Sequence, residues 1–196
     1  GDALSTWFEA RACKNSGART MARGNVSNTG LMMAHLCYDL LMEKGRDALA
    51  AVERHEVTPA LEDVVEATIY LSGLGFENGG LAAAHAVNDG FAQEPQAHGM
   101  YHGEKVAFGT LVQLVLEKAP QEELEQVLAF LRDTGLPLTL AQLGVKEIVP
   151  ETLKKVAEAA VVPTQSTKNL RADITAQEVY DAILEADRIG RDYLAR

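Results

Sequence analysis

His85, His98 and His102, three of the five histidines in the 196-residue sequence, share one glycine-rich stretch, LSGLGFENGGLAAAHAVNDGFAQEPQAHGMYHGEKVAFG, from Leu71 to Gly109. Imidazole nitrogens bind zinc when their lone pairs converge, and His85 and His102 are the right residue type for it. The H-x16-H spacing is not a metal signature by itself, and two histidines without a ligand fit it as well. His98, close in sequence to His102, fits either a hydrogen-bonding or proton-relay group beside such a site or a solvated loop histidine. Covalent catalysis has little support: there is no G-x-S-x-G elbow, and Cys13 and Cys37 lie in helical segments. G-L-G-F-E-N-G-G neither follows a strand nor opens a βαβ unit, so it is not a dinucleotide-binding turn.

The elements around these residues read as helices. Gly73, Gly75, Gly79 and Gly80 surround Phe76 and predict tight turns or places where another group comes close to the backbone. Phe76 fits either a pocket wall or a packed core aromatic. Leu81 to Ala84 are strong helix formers that set His85 in the first turns of a helix, which Asn88, Asp89 and Gly90 close. A loop with Pro95 and His98 returns the chain to His102, just before an apolar helix that begins near Gly103. Upstream, Ser27 and Asn28 are capping residues. The helix after them, apolar nearly all round from Leu31 to Met42, is expected to be largely buried, to hold His35 in the core, and to be interrupted at Gly45 before it continues to about His55. His55 is placed as a solvated cap at that helix end. Thr58-Pro59 starts a further helix. Downstream, Val106 to Leu116 predict a buried helix and Leu124, Val127, Leu128 and Leu131 a one-sided stripe ending at Gly135. Pro150 opens another helix, and Thr175 with Glu178 forms a capping box before the last. With no strand alternation and no internal repeat, the fold class is all-α, a helical bundle.

A net charge of −10 and a pI near 5.0 leave no basic stripe for nucleic acid or for an anionic membrane surface, so neither is expected as a partner. Hydrophobic residues make up 47% of the chain, enough for a core. Apolar runs stop well short of the roughly 20 residues of a membrane span. Two cysteines are too few for a disulfide framework and read as small buried thiols, which points to a reducing, cytoplasmic setting. The sequence enters an amphipathic helix directly from Gly1 and Asp2, so it is expected to be cut from a longer protein. Taken alone, Asp2 reads as a helix cap.

The segments GDALSTWFEARAC, GLGFENGGLAAAHAVNDG, MYHGEKVAFGTLVQLVLE and GLPLTLAQLGV resemble the glycerol dehydrogenase branch of the iron-type, or group III, alcohol dehydrogenases, over essentially all 196 residues. The resemblance implies an N-terminal α/β domain that binds NAD and an all-helical, dehydroquinate synthase-like C-terminal domain that binds metal and substrate. Residues 1–196 correspond to the second as a single domain, with the NAD-binding domain absent from the chain. It further implies that Asp2, His85 and His102 are the metal ligands. The iron-dependent members place a further histidine where this chain has Thr6, so the metal implied is Zn2+. Dehydroquinate synthases usually have Glu in place of Asp2. Asn88 departs from the branch, which often has His there. The implied reaction converts glycerol and NAD to dihydroxyacetone and NADH, in a homo-oligomer, with this chain inactive alone. Two alternatives stay open: a non-catalytic helical binding or assembly module, and a related metal-dependent alcohol dehydrogenase with another substrate.

Overall fold

The computed structural model describes residues 1–196, and its regular structure is helical apart from one isolated antiparallel bridge between Arg19 and Asn25. The all-α expectation holds. The chain divides into two compact units, Asp2–Leu81 and Ala82–Arg196, with Gly1 belonging to the second. No helix is long and apolar enough to cross a membrane.

The first unit contains α1 (Asp2–Ser16), α2 (Asn28–Glu53), α3 (Pro59–Glu66), a π-helical turn (Ala67–Leu71) and α4 (Ser72–Gly79). The starts of α2 and α3 are the ones local chemistry dictates. Ser27 Oγ accepts from the Gly30 N–H at 2.9 Å and Thr58 Oγ1 from the Leu61 N–H at 3.3 Å, with Pro59 in the first turn of α3. Helix α2 does not break at Gly45, because one glycine weakens a helix interior by about 1 kcal/mol without ending it. Nor is α2 largely buried. Ala34, Cys37, Leu41, Ala48 and Ala51 face the core, while Met32, Leu36, Leu49 and Val52 are exposed. Small residues on the inner face let other backbones approach: a Cβ on Gly75 of α4 would stand 3.3 Å from the Ala34 backbone. His35 is likewise not a core residue. It is exposed, its Nδ1 lies 2.9 Å from Asp39, and its ring meets Trp7 edge-on with centroids 4.5 Å apart.

Gly73, Gly75 and Gly79 are helical rather than turn residues, and Gly75 and Gly79 serve close packing. A Cβ on Gly79 would fall 2.5 Å from that of Ala10. Gly80, at φ 92°, ends α4 in a conformation that side-chain-bearing residues rarely adopt. Phe76 lies at the surface.

The second unit contains α5 (Ala83–Gly90), α6 (His102–Glu117), α7 (Gln121–Asp133), α8 (Pro150–Ala160) and α9 (Ala176–Leu194). Phe91 and Phe108 meet edge-on in its core, and Leu111, Leu128, Leu131 and Ile183 are fully buried around them. Helices cross at glycines here too: a Cβ on Gly90 would be 2.4 Å from the Val156 carbonyl oxygen. Gly135, at φ 73°, follows α7, and Thr175 and Glu178 form the expected capping box of α9. A buried carboxylate, Asp187 of α9, accepts from the Leu140 N–H at 2.8 Å and so fixes the irregular 137–149 segment.

Candidate metal centre

His85 occupies the first turn of α5 and His102 is the first residue of α6, within one unit of the chain. The helix-forming run before His85 and the glycine-bounded loop before His102 set both side chains at helix N-termini, as their sequences predict. Their rings lie 5.4 Å apart between centroids, and their metal-binding atoms stand within 4.8 Å of each other. His85 is half-buried and His102 exposed. Two imidazoles at this separation offer a cation two neutral nitrogen ligands from two helices.

The scaffold under His85 is held from several sides. Ala82, the residue before α5, has no capping side chain, yet Gln113 Oε1 of α6 accepts from both the Ala83 and the Ala84 N–H, at 3.0 and 3.1 Å. Gln113 is fully buried, and its Nε2 donates to Glu117 Oε1 at 2.8 Å. The two helices touch through backbone at this level, since a Cβ on Gly109 would lie 2.4 Å from the Ala84 carbonyl oxygen. Ser166 Oγ donates to the Ala82 carbonyl at 2.6 Å, and Gln165 Nε2 donates to Asp89 Oδ2 at 3.1 Å. Under His102, the Tyr101 N–H donates to Glu104 Oε2 at 2.7 Å, which fixes the start of α6. The Glu three residues past Tyr101 is a readable signal of that cap. Gln113 lies 30 residues from Ala83, and nothing local announces it.

The loop between the two helices is also tied down. Glu94 Oε1 accepts from the Gln96 N–H at 3.0 Å, and Gln96 Oε1 accepts from the Lys146 and Glu147 N–H groups at 3.1 and 3.2 Å. His98 is exposed, with its Nε2 3.0 Å from the Ala92 carbonyl oxygen of the same loop. Asn88 is buried one turn beyond His85, its Nδ2 donating to Asp89 Oδ1 at 3.2 Å.

Asp2 belongs to the other unit, where it is the half-buried first residue of α1. Its carbonyl oxygen accepts from Ser5 Oγ at 2.9 Å and Thr6 Oγ1 at 3.1 Å. Thr6 is buried and also shares a 2.9 Å hydrogen bond with Ser72 Oγ. Both thiols are free and buried; burial pushes Cys13 and Cys37 up to about 12. Neither supplies a thiolate at neutral pH.

No protein-family model matches the chain. Individual proteins do. A glycerol dehydrogenase of Escherichia coli O6:H1 is 57% identical over 194 residues, which cover 99% of this chain and 53% of that protein. A glycolaldehyde reductase of Halobacterium salinarum is 44% identical over 190 residues, covering 97% of this chain and 52% of that protein. The crystal structure of glycerol dehydrogenase from Schizosaccharomyces pombe superposes with a TM-score of 0.94 at 40% identity, over 97% of this chain and 49% of that one. The chain thus spans about half the length of the curated relatives it matches. Along nearly its whole length the chain is similar in sequence to glycerol dehydrogenases, and its fold is that of the matching half of one of them.

Proposed function

We propose that Asp2, His85 and His102 hold a zinc ion at which a small vicinal diol such as glycerol is oxidised, with NAD bound by a part of a longer protein outside this chain. The observation that carries the reading is the approach of His85 and His102 from two helices, in a chain 57% identical to a glycerol dehydrogenase. Two imidazoles and a carboxylate suit zinc, and three protein ligands leave a position open for substrate. Support for Asp2 comes from its neighbour in the chain. Gly1 packs so closely that a Cβ on it would fall 1.6 Å from the carbonyl oxygen of Gly103, the residue after His102, and Asp2 follows Gly1 by one peptide bond.

When bound, zinc supplies Lewis acidity that favours loss of the substrate hydroxyl proton. The residues of the chain supply the rest of the arrangement. His85 and His102 bind as neutral imidazoles, the Asp2 carboxylate offsets part of the ionic charge, and His98 holds the loop that delivers His102. Asn88 stays behind His85 rather than in its ligand set. The overall change is glycerol and NAD to dihydroxyacetone and NADH, with the nicotinamide accepting the hydride. Both helical units form the metal- and substrate-binding half, and the chain alone does not turn over. The two buried, unpaired thiols suit the reducing cytoplasm, and exposed Met32 and Leu36, one turn apart on α2, suit a homo-oligomer.

A second reading keeps the metal and changes the substrate, because the relative named for glycolaldehyde is 44% identical. Fusing this chain in frame to the complementary half of the Escherichia coli relative tests both. Glycerol oxidation with NAD that is abolished by His85→Ala supports the proposal. Reduction of glycolaldehyde with inert glycerol moves the function to the second reading, and a folded fusion that does neither refutes both.

A further inference from the structure

A helix of two turns with no capping side chain of its own should fray at its start, and α5 places His85 in that first turn. The amides of Ala83 and Ala84, which immediately precede His85, are instead both accepted by one buried side-chain oxygen, Gln113 Oε1, at 3.0 and 3.1 Å. The Gln113 amide cannot be turned over without cost, because its nitrogen donates to the Glu117 carboxylate at 2.8 Å. Gln113 stands on α6, the helix that begins with His102, and α6 meets α5 through backbone where Gly109 faces the Ala84 carbonyl.

We propose that Gln113 is a positioning residue for the metal: its side chain couples the start of α5 to α6 and so sets His85 at a fixed separation from His102. This rests on the zinc reading given above. In this role Gln113 acts through the backbone of the two residues before His85. Groups that orient metal ligands from behind typically change metal affinity by about 10- to 100-fold when removed. A buried glutamine that served stability alone would leave the affinity of the folded protein unchanged.

Zn2+ titration of the 196-residue chain, paired with amide hydrogen exchange at Ala83, Ala84 and His85 in the absence of metal, tests the proposal. Gln113→Leu removes the acceptor and should weaken zinc binding by about tenfold while speeding exchange at those three amides. Gln113→Asn, too short to reach both amides, should give a smaller change in the same direction and serves if the leucine variant does not fold. The exchanged pair Gln113→Glu with Glu117→Gln keeps an acceptor for the two amides and restores the link along α6. It should recover both zinc affinity and slow exchange. Asp187→Asn, at the buried cap of Leu140 in the same unit, should lower stability without moving zinc affinity. If His85→Ala abolishes zinc binding and folded Gln113 variants bind zinc as the parent does, the positioning role is overturned and the metal reading survives. If His85→Ala leaves zinc affinity unchanged, the metal reading fails and the positioning role with it.

Discussion

The chemistry available to this chain is decided by a few side chains, and several are excluded by their surroundings. Cys13 and Cys37 are held as neutral thiols by burial, and Thr6 is committed to Asp2 and Ser72. His35 pairs with Asp39 on the surface. The pair His85 and His102 stands apart from these, with ligand atoms within 4.8 Å of each other. Away from the site, Glu178 shows how much one side chain can do at a helix start. Its carboxylate accepts from the Thr175 N–H at 2.9 Å, pairs with Arg171 and accepts from Thr175 Oγ1 at 3.0 Å, and these contacts lower it from the usual 4.5 to about 2. A carboxylate more acidic in the folded state contributes stability that is full above its unfolded value and is lost as pH falls through the folded one. Glu178→Gln should therefore be less stable than the parent near neutrality, with the gap in melting temperature closing between about pH 4.5 and about pH 2. A gap that stays constant through that window would contradict the assignment.

Among the elements, glycine has two opposite meanings, and a single substitution separates them. On α6, a methyl group at Gly109 would lie 2.4 Å from the Ala84 carbonyl oxygen, so Gly109→Ala must push α5 away. Overpacking of this kind costs about 1–3 kcal/mol, more than the roughly 1 kcal/mol that alanine adds in helix propensity. A methyl group at Gly73 on α4 would meet nothing within 4 Å beyond its own helix, and Gly73→Ala should stabilise by about 0.5–1 kcal/mol. Urea unfolding of the two variants should move the midpoints in opposite directions; a shift of the same sign in both would refute the packing account. The same contrast explains what could be read from the sequence. Caps at Ser27, Thr58 and Thr175 have their partners three residues away, so local sequence reveals them. The exposed side of α2, the helical glycines around Phe76 and the surface position of His35 depend on which neighbouring backbones come close, and periodicity does not encode that. At the site, residue type and helix position were legible for His85 and His102. Their convergence was not in the H-x16-H spacing, and the Gln113 bond to the Ala83 amide crosses 30 residues.

At the scale of the molecule, two helical units carry a net charge of −10 and span about half the length of related glycerol dehydrogenases. The zinc proposal takes Asp2, His85 and His102 as its ligands. The most direct test is the zinc content of the purified chain after exhaustive dialysis, measured beside His102→Ala with both proteins confirmed folded. The proposal predicts about one zinc per chain in the parent, the stoichiometry of a single mononuclear site, and loss of that zinc in the variant. A parent that holds no zinc, or a variant that holds as much as the parent, would contradict it.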